Sequence, residues 1–386
     1  MALSDIYQKA SLVQIPSGYK SGTLYSVVPN TPDGDFTVTG DPEGEATRVN
    51  KDGLIETVSA NVPRLNYNFI DGVVQPDPHL LLEPTRTNLT TQSEDLSTTW
   101  LKSAGVTLTD GQTSPDGSDN AYKVEMTSGA NNYLFIGGGT TGVQYTISGY
   151  FKADTNTSIG FSDGNTNSNS IDITTEWKRY TFTFTDTGGG VQIDNYFGVS
   201  PSQQAKTFYA WGIQMEAGSY ATSYIPTSGS AVTRTADTCG DAGNSTIIKA
   251  EGGLFVDFTT SNTDNLKRIS ITDASDANNN IFIQLLGTSF AVQIVSGGTT
   301  LYSWGFAITL SDRHKLALRY KDGDSQLYYN GTQQTATTAS GTWFTNGLLD
   351  TFSLNQGSFF NFYGEIHQAM IFNEALSDSE LQTLTT

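Results

Sequence analysis

Apolar and polar residues alternate in short runs along most of this chain, and glycine, proline, asparagine and aspartate break the runs. A period of two is the signature of a strand with one buried face. The plainest runs are Ala121–Met126, Asn132–Ile136, Gln144–Lys152 and Trp177–Thr185 in the middle, and Lys267–Thr272, Asn280–Leu285, Ser289–Ser296, Thr300–Trp304 and His314–Tyr320 later. Turn signals separate them: Asp163-Gly164, Gly188-Gly189-Gly190, Asp322-Gly323 and Asn330-Gly331. Strands at this spacing with no intervening helices predict β-sandwiches, so the fold class is all-β. Only the ends carry helical signals. Ser4 is a candidate N-cap for a short helix to Ala10, and Ser377 with Glu380 forms a capping box for a helix at the C-terminus.

The longest apolar strand lies in Lys206–Arg234. Strict alternation puts Tyr209, Trp211, Ile213 and Met215 on one face, and that face should meet a core. Phe208, Ala210, Gly212, Gln214 and Glu216 fall on the other. The segment Thr227–Gly243 has no alternating run of large apolar residues and is expected to be a linker.

Three sections follow: 1–79, 80–231 and 232–386. The first has short strands at Ser11–Ile15, Thr23–Val28, Phe36–Thr39, Ala46–Asn50 and Leu54–Val58, too few for a core of its own, and is expected to dock elsewhere. The second and third each hold a full sandwich; in the third, Gly253–Phe258, Ser325–Tyr329, Gly347–Leu354 and Phe360–Phe372 complete the strand set.

Composition and charge remove several function classes. With 39 acidic and 20 basic residues the net charge is -19, which excludes nucleic acid and anionic membrane as partners. A single cysteine, Cys239, excludes an intrachain disulfide framework. No apolar run is long enough to span a bilayer, and Met1–Asp5 lacks the basic start of a secretory signal, so synthesis in a cytoplasm is expected.

No nucleophile–base, zinc or phosphate-loop motif is present, and the chain is expected not to be an enzyme. Acidic pairs such as Asp322 with Asp324 and Glu365 with Glu374 occur at the frequency chance allows in an acidic chain. No cofactor is expected, apart from a structural calcium that Asp322 and Asp324 could hold; Asp273–Asp276 offers similar turn oxygens. Sugar binding needs flat aromatic faces beside amides and carboxylates. Candidates are Tyr133, Phe135, Trp177 and Tyr196, near Asn131, Asn132, Asp194 and Asn195, and later Tyr302, Trp304, Trp343 and Phe344, near Asn346. Trp343 is the first choice, because it sits in a loop-like Gly/Thr/Asn context. A core role for each aromatic is the competing reading.

Three strings carry a resemblance: LLLEPTRTNL, QSEDLSTTW and YAWGIQMEAGSYATSYIPT. Together they resemble a module of tailed-bacteriophage structural proteins that is similar to jelly-roll carbohydrate-binding modules. The string SLVQIPSGYKSGTLYSVVP with ATRVNKDGLIETV resembles the N-terminal segment of such virion proteins, and LALRYKDGDSQLYYNG with GEIHQAMIFNEALSDSELQTL resembles the laminin-G-like, concanavalin-A-like sandwich. The resemblance implies a head-fibre, decoration or tail-fibre subunit on a virion surface, held by other virion proteins through its first section. It also implies a homotrimer and weak binding of host or environmental glycans. A dedicated receptor-binding tail protein and a glycan hydrolase are the alternatives.

Overall fold

The computed structural model describes residues 3–20, 23–41, 46–70, 73–129, 131–165, 168–195, 204–260, 266–356 and 360–386. Among the described residues it is all-β apart from two short helices and a single 3-10 turn. The middle section forms a sandwich of two five-stranded antiparallel sheets. One runs in the order Val106–Gln112, Ala121–Met126, Lys206–Ala217, Gln144–Lys152, Lys178–Thr185. The other runs Leu101–Lys102, Tyr133–Gly137, Gly190–Asp194, Thr157–Ser162, Ser168–Ile173. Their inner faces share a core that includes Val124, Leu134, Ile147, Phe151, Phe161, Ile193 and Phe208.

Strict alternation fails in Lys206–Ala217. Phe208 and Ala210 face the core, and so do Ile213 and Met215, because an extra residue shifts the phase between the two pairs. Ser148 pairs with Gln214 and Tyr150 with Trp211, so Gly149 alone opposes Gly212 and Ile213. This is a β-bulge, and Gly212 occupies it at φ +63, where a side chain would be strained. The bulge turns Trp211 out of the sandwich. There it packs against Tyr224 at 4.6 Å between ring centroids and joins a small core with Ile55 of the first section.

The third section is a sandwich of a six-stranded sheet and an eight-stranded one. Asn330 and Gly331, at φ +44 and +77, make the tight hairpin between Gln326–Tyr329 and Thr332–Gln334 that the Asn-Gly signal predicts. Of the expected strand Gly347–Leu354 only Thr351–Ser353 pairs, and the last strand begins at Gly364. The helix Asp378–Thr385 opens with both bonds of the Ser377/Glu380 capping box.

The first section enters this last sheet rather than resting on it. Ala10–Gln14 pairs with one part of Gly364–Phe372 and His79–Leu82 with the other, and Leu65–Asn66 extends the edge. The strand His79–Leu82 therefore runs through the expected boundary at 79/80.

The expected linker is ordered and tied on both sides. Val232–Arg234 pairs with Arg86–Asn88, Thr238–Gly240 pairs with Thr37–Thr39, and Cys239 is fully buried. Its thiol is pushed well above the ordinary range by burial, which leaves it the character of a small apolar side chain.

A buried charge network holds the three sections at one point. Glu83 accepts 2.7 Å bonds from both Arg64 and Arg234, and from Ser223 at 2.6 Å and 2.8 Å. Asp237 accepts from Arg64 and from the Glu83 backbone N–H. Burial opposes the charges, but Arg234 and Arg64 hold the Glu83 carboxyl well below the usual carboxylate range. Glu83→Ala leaves two buried guanidiniums short of a partner. It is expected to cost about 3–5 kcal/mol, read as a lowered midpoint in urea unfolding. A change under 1 kcal/mol would show that the network does not hold the junction.

Candidate functional site at the junction of the three sections

Beside the network lies a cleft of about 680 Å³ with walls from all three sections. The first supplies Arg48, Asn66, Asn68 and Phe69, the second Tyr150, Arg179 and Ser223, and the third Thr259, Arg313, Tyr363, Glu365 and His367. Asn68, Arg313 and His367 continue into a second groove of about 910 Å³ lined also by Tyr67, Gln75 and Asp77. Clefts between packed units are common places for ligands.

Local structure aims these groups. Tyr150 is held edge-on to Trp211 by the bulged strand, and Arg179 lies over its ring at 5.6 Å. Phe69 begins a two-residue strand paired with Val73–Val74 and keeps 46% of its surface exposed. Glu365 and His367 lie two apart on Gly364–Phe372 and so share its outward face.

Glu365 sits between two imidazoles. One oxygen is 3.5 Å from His79 Nε2 and the other 3.7 Å from His367 Nε2. Both nitrogens already have nearer partners. The Asn66 amide nitrogen is 3.1 Å from His79 Nε2, and its Oδ1 is taken by the Val49 N–H, so Nε2 is the acceptor. The Thr259 hydroxyl is 3.1 Å from His367 Nε2. Among the described residues no group donates a hydrogen bond to Glu365, whose side chain is 28% exposed to the cleft.

Burial, with the nearby Glu83 charge, pushes Glu365 up from 4.5 to about 7. Burial drives the imidazoles the other way, His79 to about 3 with help from His367, and His367 to about 4 with help from Arg313. At neutral pH both rings are uncharged. The other carboxyl lining the cleft, Glu83, is bonded to Arg64 and Arg234, and behind the wall Glu56 and Asp257 hold the lining arginines Arg48 and Arg313, each at 2.7 Å.

The aromatics singled out from sequence lie elsewhere. Trp304 is 1% exposed and stacks on Tyr302 inside the core, so it offers no face to a ligand. Trp343 is half-buried against the same core, edge-on to Tyr302 and Phe344, and its indole N–H bonds the Ala250 carbonyl at 2.9 Å. The loop that carries it is irregular, yet the ring closes the sandwich edge. Asn346 is exposed beside it.

Tyr133 is 37% exposed on the outer face of the second middle sheet, with Phe135 and Gln192 on the same face. Tyr196 lies outside the described residues. Trp177 is partly covered, with Lys152 over its ring at 5.1 Å. Asp324 is engaged by Arg319 at 2.8 Å, which also holds Asp378, so the Asp322/Asp324 turn is not an open pair of cation ligands. Among the described residues no three His, Cys, Asp or Glu side chains are arranged to hold a metal ion. No helix is long and apolar enough to cross a membrane.

In the sequence Glu365 stands out only as one of a chance acidic pair with Glu374. The usable signal is Glu365-Ile366-His367, two titratable residues flanking an apolar one in an otherwise core-forming strand. A buried strand carries such residues only where its outward face meets something polar.

No family model matches the chain, and no curated protein matches it. Several solved structures are similar to part of it. The CBM40 of a Ruminococcus gnavus IT-sialidase, bound to α2,3 sialyllactose, is 15% identical over 38% of this chain and 92% of that one, at a TM-score of 0.32. Domain 4 of a GH43 extracellular arabinanase from Geobacillus stearothermophilus, in complex with arabinotriose, is 15% identical over 39% of this chain and 73% of that one, at 0.32. A heptameric SAP-like pentraxin from Limulus polyphemus is 14% identical over 36% and 70%, at 0.28. At these scores the likenesses carry no weight for ligand or role, and the fold class rests on the chain's own sheets.

Two outcomes are expected here. Glu365 binds its proton more tightly folded than unfolded, so its ionisation erodes stability as pH rises from about 4.5 through about 7. Glu365→Gln removes that slope. Urea unfolding should show the variant on the order of 2 kcal/mol more stable than the parent at pH 8 and equal to it at pH 4. An equal pH dependence in both proteins would contradict the buried placement. Trp343→Ala should cost about 2–3 kcal/mol through lost packing and an orphaned Ala250 carbonyl. An unchanged midpoint would return Trp343 to the list of open platforms.

Proposed function

We propose that this protein binds carbohydrate, and that the junction cleft is where it does so. One observation carries the reading: the exposed Phe69 ring stands at a cleft whose lining includes amides, hydroxyls, guanidiniums and the Glu365 carboxyl, to which no described residue donates a hydrogen bond. A flat apolar face beside planar polar groups suits a sugar ring, which has apolar C–H faces and a rim of hydroxyls. A site at a junction is also set by three sections at once, so ordering them preorganises it.

In this reading the cleft binds and does not cleave. Glycoside hydrolysis needs two carboxyls flanking the bond. Of the carboxyls that line the cleft, Glu83 is bonded to two arginines, which leaves Glu365. The finer placement, display on a bacteriophage particle as a fibre or decoration subunit in several copies, rests on the resemblance of the LLLEPTRTNL and YAWGIQMEAGSYATSYIPT strings. Copy number would then raise the avidity of a weak site. A homotrimer and contacts to other virion proteins belong to the same placement.

A glycan array probed with the full chain tests the reading, followed by calorimetry on the strongest hits. Phe69→Ala should weaken those hits about tenfold, the worth of one stacked ring, while unfolding stays within about 1 kcal/mol of the parent. Hits that survive Phe69→Ala unchanged would move the site away from the cleft. Release of reducing ends from any bound glycan would replace binding with catalysis.

A further inference from the structure

The charge arrangement around the cleft goes one step beyond carbohydrate binding, and it rests on that reading. Every arginine there is already committed. Arg48 is paired with Glu56, and Arg313 is held in a two-bond fork by Asp257 at 2.7 and 2.8 Å. Arg64 and Arg234 are spent on Glu83 and Asp237 inside the network. Arg179 donates to the Thr222 carbonyl at 2.6 Å and to Ser148 at 2.8 Å, and Thr222 in turn donates to the buried Glu216. The charges of Arg48 and Arg313 are balanced by the carboxylates they hold, so neither brings net positive charge to a ligand carboxylate.

Glu365 is a lining carboxyl that no arginine bonds. Glu365 faces the cleft with no donor among the described residues, and the two imidazoles nearest it are occupied by Asn66 and Thr259. Asp77 adds an exposed carboxylate in the adjoining groove. A ligand carboxylate entering here would meet like charge across a partly buried wall, where repulsion is screened less than in water. A ligand hydroxyl would instead give Glu365 the hydrogen bond that no described residue gives.

We infer that the cleft selects uncharged glycans over acidic ones, and that Glu365 makes the selection. It accepts hydroxyl hydrogen bonds and repels carboxylates such as those of uronic or sialic acids. Specificity of this kind comes from a repulsive element as much as from an attractive one. It also responds to acid through one group. The charged and titratable residues facing Glu365 are His79, His367, Arg313 with Asp257, Arg48 with Glu56, Arg179, and Glu83 with Arg64 and Arg234. Both imidazoles stay neutral to about pH 5, since they titrate near 3 and 4. Between pH 5 and 8 the charge that changes in this set is that of Glu365.

The test uses matched oligosaccharides that differ only in a hydroxymethyl against a carboxylate, hexose against uronate, titrated into the full chain. At pH 8 the parent should bind the hexose member at least about tenfold tighter than the uronate member. Glu365→Gln keeps size and hydrogen bonding but removes the charge, and should narrow that ratio to about threefold or less. The unmodified protein at pH 5 should narrow it in the same direction, an arm that needs no variant to fold. Equal or tighter uronate binding by the parent at pH 8 would overturn the inference and leave carbohydrate binding standing. So would a ratio that neither Glu365→Gln nor pH 5 alters. Binding of neither member, with an array blank for every glycan class, would take down the carbohydrate reading and the selectivity with it.

Discussion

The arrangement of this protein turns on one buried carboxylate. Glu83 is the shared acceptor for Arg64 and Arg234, which approach from the first section and from the segment after the middle sandwich. Two guanidiniums and two carboxylates out of water are tolerable only if they are bonded, and Ser223, Pro84 and backbone groups supply most of what the ion pairs leave over, while the Nε of Arg64 and of Arg234 has no partner among the described residues. Because the members come from distant parts of the chain, satisfying them fixes where those parts lie. Apolar contacts would hold the junction together without selecting one orientation as sharply.

The cleft is a by-product of that orientation. Its walls belong to three sections. The Gly212 bulge contributes from beneath. By sending Trp211 out of the middle sandwich, it supplies the apolar post against which Tyr224, Tyr150 and Ile55 gather. Strand pairing contributes from the other side. Gly364–Phe372 is central in its sheet, and its outward groups, Glu365 and His367, end up walled in by the strand His79–Leu82 and by Asn66. A carboxyl in that position loses water on most sides, and its raised affinity for a proton follows from geometry rather than from any special residue.

Much of the fold was legible in the sequence, for a physical reason. Alternation, Asn-Gly turns and the Ser377/Glu380 capping box are local signals, each acting over a few residues. They placed Gln144–Lys152, Ser289–Ser296, the Asn330-Gly331 hairpin and the C-terminal helix. The failures were of range. Thr227–Gly243 read as a linker because it has no large apolar alternation, yet it is held by backbone pairing to Arg86–Asn88 and Thr37–Thr39, partners far along the chain. Trp343 read as open because its neighbours are loop-forming residues, but a ring's exposure depends on what packs over it, here Tyr302 and Phe344.

The sequence by itself determined the class of fold, the places where most strands start and stop, and the net charge of -19. Side-chain periodicity and turn chemistry are written residue by residue, so no tertiary knowledge is needed to see them. The tertiary structure alone decided the phase of Lys206–Ala217, since a single extra residue in a bulge reverses every side chain after it. It alone brought Glu83 between Arg64 and Arg234. It alone set Glu365 between His79 and His367, residues from strands that are adjacent only because the first section completes the last sheet. The candidate site is made of such long-range meetings, and a meeting of distant residues leaves no local pattern in the chain.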